Sequence, residues 1–363
     1  MYSLQTGEYS EAEIRAMLTS DREVWFEFDV LDKNEIPKGQ ITATGSIDYN
    51  STVSIQRTAQ LEIVEERDIN FLSDKIKVSM CLKTPKGTEK FPMGVFLMSS
   101  PARQAHVGTV RREIECYDLT LMLKDDKFTT RYKVEKNLNY GQALTNIFAT
   151  SGVTDPLITP TTKSLANDIE FPLGMSKLEA INQILSAINY NNVYTNENGR
   201  FVCEPYQDPL FRPAQASYIT NDRSIIFAGV KEELDAFNIP NKVVRYLDSA
   251  DRATLISEQT NTDADSPLST VSRGRTIVDI KSVNDIADQT TLDDYTKRAM
   301  DGFKVYERVT IETATMPNHG NLDCLYVVDK ELDISGKFIE ESWNVQLTNG
   351  GRMKHVLRKV VAI

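Results

Sequence analysis

The stretch that decides the fold is ITATGSIDYNSTVSIQRTAQLEI, residues 41–63, in which apolar and polar side chains alternate. Its apolar members fall on odd positions, at Ile41, Ala43, Ile47, Val53, Ile55, Ala59, Leu61 and Ile63. Successive side chains of a strand point to opposite faces, so this period of two predicts β-strands with one face in a core and the other in water. Strands with one wet face are typical of antiparallel sheets.

The same alternation extends to both sides of residues 41–63. Further strands are predicted at Val24–Val30, Ile76–Leu82, Phe91–Met98 and Val110–Cys116. Six strands at short spacing, without a helical pattern between them, predict an antiparallel barrel or sandwich up to about residue 125. Ahead of them, Ser10 and Glu13 have the spacing of a capping box, which predicts a short helix.

A helical period replaces the alternation near residue 137. One helical stripe consists of Tyr140, Ala143, Leu144, Ile147 and Phe148. Gly152 is placed to end this helix, and Ser176 with Glu179 forms a second capping box ahead of a second apolar stripe. Asn198-Gly199 then predicts a hairpin with a type I′ turn. Two helices and a hairpin indicate a small α+β domain.

Strands return after about residue 217. They are predicted at Ser224–Phe227, Lys242–Leu247, Val309–Ile311, Leu325–Val328, Trp343–Leu347 and Met353–Val361. Residues 248–275 are polar and predict an exposed loop. A helix is predicted near 291–306, with Asp293 and Asp294 in its first turn, where the helix dipole favours anions. We therefore expect an α+β, mostly β chain whose domains are residues 1–130, 131–213 and 214–363.

Composition narrows the class of protein. The 363 residues carry a formal charge of −11, which opposes binding to a phosphate backbone. Hydrophobic residues at 40% and charged residues at 26% are typical of a chain that folds throughout. No run approaches the roughly 20 apolar residues that span a bilayer, so no membrane segment is expected. The four cysteines lie far apart and form no CxxC pair, which argues against a zinc site or a disulfide framework.

Motifs that carry chemistry are missing. The sequence has no GxSxG, GxxxxGK[ST], GxGxxG or HExxH, which lowers the support for an enzyme. His106, His319 and His355 lie in separate contexts, so structural or surface roles are expected for them. Residues 261–272 begin like a calcium loop but have Ser266 and Ser272 at the glycine and glutamate positions, and a solvated loop is preferred. No catalytic, cofactor-binding or metal-binding residue is predicted.

Scattered aromatic residues leave one binding hypothesis open. They are Trp25, Trp343, Tyr190, Tyr194 and Tyr206. Such side chains line saccharide sites in other proteins, but here they are dispersed in the sequence, which favours core packing or a subunit interface. A receptor-binding or saccharide-binding role is kept as an alternative.

The order of these segments resembles that of the phage tail hub family. The matching runs are WFEFDVLD (25–32), IDYNSTVSIQRTAQLEI (47–63), RDINFLSDKIKV (67–78), FPMGVFLMSSP (91–101), YDLTLMLKDDK (117–127), SKLEAINQILSAINYNNVYTNENGRFVCEPY (176–206), FNIPNKVV (237–244), SPLSTVSRGR (266–275) and ESWNVQLTNGGRMKH (341–355). The family includes baseplate hubs and the N-terminal hub regions of tail-associated lysins. The resemblance covers nearly the whole chain, and its runs contain no catalytic signature.

The resemblance implies an architecture and partners. Hubs of this family have two tube-type β-barrel modules separated by smaller α+β modules, and three chains form a ring of six barrels. That ring joins a six-fold tail tube to a three-fold spike or tip and surrounds the channel through which DNA leaves. The implied partners are two further copies, a tail tube or distal tail protein, a spike or tip protein and a tape-measure protein. The implied location is the virion tail tip or baseplate, with assembly in the host cytoplasm.

One alternative follows from the same resemblance. Tail-associated lysins continue into a peptidase or glycosidase domain, whereas this chain ends on a predicted strand. The expectation is therefore either a complete hub or the N-terminal hub region of a longer cell-wall hydrolase.

Overall fold

The computed structural model describes residues 1–64, 69–99, 102–106, 109–221, 224–234, 237–249, 252–283, 286–303 and 307–360. Most of the regular structure is β, with short helices between the strands, which confirms the α+β, mostly β fold class. The first elements are α1 Glu11–Leu18, β1 Val24–Leu31, β2 Pro37–Ile41, β3 Ala43–Asn50, β4 Arg57–Val64, β5 Lys75–Thr84, β6 Gly87–Met98, β7 Ala102–His106 and β8 Thr109–Asp118.

The strand expected to contain Val53 and Ile55 begins only at Arg57. Residues 51–56 form the turn between β3 and β4, and Val53 is 47% exposed. The Oδ1 atom of Asn50 accepts a hydrogen bond from the Thr52 backbone N–H (2.9 Å), which starts the reversal. The apolar alternation thus continues through a turn. By contrast, the capping box of Ser10 before α1 is present as predicted.

The middle elements are α2 Thr120–Asp125, β9 Tyr132–Val134, α3 Tyr140–Thr150, β10 Leu157–Ile158, β11 Ile169–Phe171, α4 Lys177–Ala187, β12 Tyr194–Thr195 and β13 Phe201–Cys203. The predicted apolar stripe of α3 is buried, and Ser176 caps α4 through a capping box. The predicted hairpin joins β12 to β13, but its turn type was wrong. Asn196 donates its backbone N–H to Arg200 O (2.9 Å), so the loop has three residues, and Gly199 takes φ +80°.

The last elements are β14 Ala216–Ile219, β15 Lys231–Leu234, β16 Lys242–Ser249, β17 Arg252–Thr260, α5 Thr270–Arg273, β18 Val278–Ser282, α6 Gln289–Phe303, β19 Glu307–Ala314, β20 Cys324–Asp329, β21 Ile334–Gln346 and β22 Arg352–Lys359. The prediction of a polar loop at 248–275 is wrong for residues 252–260, which form β17 and pair with β16. Polar residues occupy both faces of β17 and obscure its alternation. The strand expected at Ser224–Phe227 is reduced to one bridge at Ile226.

The helix expected near 291–306 is present as α6 but begins earlier. Asp288 precedes it and accepts hydrogen bonds from the backbone N–H and hydroxyl of Thr291, both at 2.7 Å. Asp293 and Asp294 therefore lie beyond the first turn and are exposed. The acidic residue that stabilises the start of the helix is Asp288, and residues 304–306 lie outside the described ranges.

Strand pairing joins the two strand-rich regions into one sheet. Its main path runs β15-β19-β22-β21-β3-β4-β8-β6-β5-β1-β2, with β14, β20 and β7 attached at its sides. The junction is the antiparallel pair of β21 and β3, in which Trp343 faces Tyr49 and Val345 faces Ile47. Within the described ranges the path stays open, with β15 and β2 at its ends.

The largest core follows this junction. Ile47, Leu61 and Ile76 of the first region pack in one buried cluster with Trp343 and Val345 from β21. A second cluster fills the module of α2, α3 and α4, and a third lies between β14 and β19 to β22. The boundaries at residues 130 and 213 remain predictions, since β21 completes a core that begins near residue 4.

Candidate functional site

The two ends of the main sheet are open edges. Among the described strands, β2 pairs with β1 alone and β15 pairs with β19 alone. Residues 37–40 of β2 and 231–233 of β15 are exposed. An edge strand presents unpaired backbone N–H and C=O groups, so either edge is able to continue the sheet into another chain.

A second exposed surface lies on the small sheet β17-β16-β18. One face of this sheet packs on α6, where Leu247 contacts Leu292 in a small core. The opposite face carries Ile256, Val278 and Ile280, whose exposed fractions are 60%, 49% and 61%. We call these three residues the outer apolar face. Exposed apolar side chains grouped on one face of a sheet are typical of a contact with another protein.

A buried histidine–glutamate cluster lies in the core of the C-terminal strands. His319 and His355 each donate Nδ1–H to one oxygen of the Glu340 carboxylate, both at 2.6 Å. The hydroxyl of Tyr218 lies 2.7 Å from His319 Nε2, and the hydroxyl of Thr313 lies 2.9 Å from His355 Nε2. The imidazole rings are 4.7 Å apart between centroids. Each nitrogen of the cluster thus has a partner, which satisfies these buried polar groups.

Two strands and a turn bring His319, Glu340 and His355 together. Glu340 lies on β21 next to an irregularity in its pairing with β22, between Glu340 and Ser342. Such bulges re-aim side chains, and this one places Glu340 opposite the histidines. His355 lies on β22, and His319 follows the turn at Pro317 and Asn318. The cluster was not predicted from the sequence, because its members lie far apart in the chain and meet only in the folded structure.

Burial and mutual contact set the charges of the cluster. Burial raises the pKa of Glu340, but the imidazoles of His319 and His355 outweigh burial and lower that pKa below its usual range. Burial lowers the pKa of His355, and Glu340 offsets only part of this effect. At neutral pH Glu340 is therefore ionised and His355 is neutral, a state in which the carboxylate accepts two N–H groups.

His319, Glu340 and His355 are also the described residues close enough to hold one metal ion, with ligand atoms within 4.8 Å of one another. Zinc lies about 2.0–2.2 Å from nitrogen and oxygen ligands, which separates tetrahedral ligand atoms by roughly 3.4 Å. The 2.6 Å separations of the cluster are shorter and match charge-assisted hydrogen bonds. The residue types fit a metal, whereas the geometry is that of a hydrogen-bonded network.

The calcium-like loop, the scattered aromatic residues and the cysteines do not combine into a site. Asn261 is buried, and its side chain bonds to Asp263 N–H and Ser266 Oγ, so the calcium-like loop is held by its own hydrogen bonds. Trp343 and Tyr190 are buried in separate cores, so these two rings do not form a shared platform for a saccharide. The four cysteines are buried without a disulfide. Within the described ranges, no helix combines the length and apolar character needed to cross a membrane.

Comparison with solved structures identifies the fold. A tail protein from Neisseria meningitidis MC58 superposes with a TM-score of 0.67 at 14% identity, covering 92% of this chain and 97% of that one. The 43 kDa tail protein of prophage MuSo2 from Shewanella oneidensis gives 0.60 at 11% identity, over 91% and 98%. The prophage tail protein gp18 from Listeria monocytogenes gives 0.54 at 11% identity, over 92% and 94%.

The chain therefore has the fold of phage tail proteins over almost its whole described length. This agrees with the resemblance to tail hubs found in the sequence. No protein-family model matches the sequence, and no curated protein matches it.

Proposed function

We propose that the chain is a non-enzymatic structural subunit of a phage tail or a related tail-like particle. In this proposal it is a hub of which three copies form a ring between a six-fold tube and a three-fold spike or tip. The observation that carries the proposal is the likeness to tail proteins over more than nine-tenths of their chains. The open edges and the outer apolar face support it, because a ring subunit must have surfaces that other chains bury.

The sheet itself supplies a means of ring formation. Pairing of β21 with β3 joins the two strand-rich regions within one chain. If the β2 edge of one copy meets the β15 edge of the next, the same kind of antiparallel continuation joins neighbouring chains. Contacts of this head-to-tail type close into a ring when the rotation between copies is right. Three copies with two modules each match the six subunits of a tube layer.

Charge and surface chemistry suggest the partners. The formal charge of −11 gives the ring no general attraction for DNA, which suits a channel that DNA passes without binding. We assign the outer apolar face to a neighbouring tail protein. The proposed partners are a tube or distal tail protein, a spike or tip protein and a tape-measure protein. The proposed location is the virion tail tip, after assembly in the host cytoplasm.

The ring is tested by light scattering and negative-stain imaging of the purified chain, alone and on tail tips. Three-fold rings or attachment to tips are expected. Ile256→Lys with Ile280→Lys should abolish incorporation into particles, because two charges then occupy the outer apolar face. Val53→Lys, at an exposed turn elsewhere, is the matched control and should be incorporated. A chain that stays monomeric and is absent from purified particles would refute the proposal.

A hub region of a longer cell-wall hydrolase is the second candidate, and it rests on the resemblance to tail-associated lysins. A zymogram on host peptidoglycan tests whether the chain itself cleaves the cell wall. Clearing by the 363-residue chain alone would make it an enzyme. We expect no clearing, since the one histidine–carboxylate cluster in the described part of the chain is fully buried. Failure to bind host cells or wall polymers would remove the receptor-binding alternative.

A further inference from the structure

A polar cavity of about 380 Å³ lies where the middle module meets the main sheet. Its lining includes Arg57 at the start of β4, Tyr194, Glu197 and Glu204 of the hairpin region, and Asn321 after the His319 turn. The volume falls within the range of small-molecule sites, which is about 300–1,000 Å³. The cavity is separate from the open edges and the outer apolar face, and an inference about it does not depend on the ring.

Arg57 is the unusual member of this lining. The residue is only 5% exposed, yet its Nε and Nη1 atoms are buried without a hydrogen-bond partner among the described residues. Its guanidinium carbon lies 5.6 Å from the ring centre of Trp343. A cation–π contact supplies no hydrogen-bond acceptor, so the buried donors remain unsatisfied. A group that accepts hydrogen bonds and carries negative charge would complete this site.

The nearby acid that could neutralise Arg57 is already used. One oxygen of Asp118 accepts the Arg57 backbone N–H (3.0 Å), and the other accepts the Thr120 N–H (2.8 Å). Burial raises the pKa of Asp118, which weakens it as a counter-ion. No described carboxylate forms an ion pair with the Arg57 guanidinium within 4.0 Å.

The other charges of the cavity select the kind of anion. Arg57 and Arg212 are balanced by Glu197 and Glu204, and the terminal ammonium of Met1, which also lines the cavity, is paired with Asp323. The site therefore has no excess positive charge that would hold a phosphate with nearly two negative charges. A single carboxylate meets less repulsion. Asn321 already uses its Oδ1 to accept from Tyr49 (2.6 Å), which leaves its N–H groups to donate.

We propose that this cavity binds a small organic molecule through one carboxylate, which accepts hydrogen bonds from the guanidinium of Arg57. The amide of Asn321 supplies a further donor beside it. In this proposal Arg57 is the anchor of a ligand site between the main sheet and the middle module.

Trp343 provides the readout, because it contacts Arg57 and is one of two tryptophans in the chain. In a Trp25→Phe background, its emission is followed during titration with N-acetylglycine at constant ionic strength. N-acetylglycinamide is the matched neutral probe, and inorganic phosphate is the alternative anion. We expect a saturable change with N-acetylglycine, and none with the neutral amide. Phosphate should bind at least tenfold more weakly than N-acetylglycine.

Variants locate the site. Arg57→Met should abolish the saturable change, and Arg57→Lys, which keeps the charge without the planar fork, should weaken binding at least tenfold. Arg131→Met removes an exposed arginine and should bind like the parent. If Arg57→Met fails to fold, Arg57→Lys alone decides. The inference is overturned if N-acetylglycine gives no saturable change, if either Arg57 variant binds like the parent, or if phosphate binds more tightly.

Discussion

Trp343 on β21 stacks on Tyr49 of β3, with ring centroids 5.5 Å apart, across the strand pair that joins the two ends of the chain. The hydroxyl of Tyr49 also donates to Asn321 Oδ1 at 2.6 Å. The pair therefore ties β3, β21 and the His319 turn together.

Replacing Trp343 by alanine should destabilise the whole chain. The residue is 3% exposed, and truncating a buried aromatic side chain costs about 3–5 kcal/mol. Because one sheet spans both strand-rich regions, we expect one unfolding transition at lower denaturant rather than two. Trp25→Ala, on partly buried β1, should cost less. Two separate transitions in the parent would show that the regions unfold independently.

Glu340→Gln tests the buried cluster. The variant keeps the shape but removes the charge that two imidazole N–H groups share, and hydrogen bonds to a charged group contribute about 1.5–3 kcal/mol each. We expect a loss of free energy of unfolding in that range, measured by denaturant titration. Glu312→Gln, whose partner Arg352 is exposed, should change stability by less than about 0.5 kcal/mol. Equal effects of the two variants would contradict a stabilising cluster.

Stability should fall as the pH is lowered from 7. The pKa of His355 is below the usual 6.5, so the unfolded chain gains a proton near pH 6.5 that the folded chain does not take up. The lowered pKa of Glu340 adds a further loss below its usual 4.5. Thermal melts from pH 7 to 5 measure the first effect. His355→Gln should make the melting temperature less dependent on pH over that interval, and an unchanged slope would contradict this assignment.

Metal removal should leave the fold unchanged. The cluster of His319, Glu340 and His355 is satisfied by hydrogen bonds of 2.6 Å, so we expect EDTA and added zinc to leave the melting temperature where it was. An ion that binds the folded chain alone would raise it by mass action. A rise of several degrees with zinc that Glu340→Gln abolishes would turn the cluster into a metal site.

Gly199→Ala tests the contact between the hairpin and the main sheet. An alanine Cβ there would lie 2.9 Å from Val95 Cβ on β6, and Gly199 also takes φ +80°. Gly152 has φ +74° but open space around it, so Gly152→Ala carries the backbone strain alone, about 1 kcal/mol. Gly199→Ala should cost about 1–3 kcal/mol more, from overpacking. Equal losses of unfolding free energy for the two variants would show that the hairpin shifts to make room for the added methyl group.

Local signals predicted local structure well. The capping boxes at Ser10 and Ser176 and the apolar stripe of α3 lie within single helices, and each is present. The strand β17 was missed because its alternation mixes polar residues on both faces, and its stability comes from pairing with β16.

The candidate sites depend on distant contacts and were not predictable. Glu340 lies 21 residues from His319 and 15 from His355. The ladder of β21 and β22 brings Glu340 and His355 together, and the turn after β19 adds His319. Arg57 was one basic residue in an alternating strand. The lack of a hydrogen-bond acceptor for its guanidinium is apparent only in the folded structure, where the hairpin region and the segment after the His319 turn line the same cavity.

The strand pair β21–β3 also orders events during synthesis. Ile47 and Leu61 emerge from the ribosome early, but Trp343, Val345 and Met353, which complete their core, are made only after the whole middle module. Until then β3 has one open edge, and its hydrophobic face lacks part of its cover. Contacts so distant in sequence slow folding. The nascent chain therefore has an aggregation-prone edge exposed until β21 has been made.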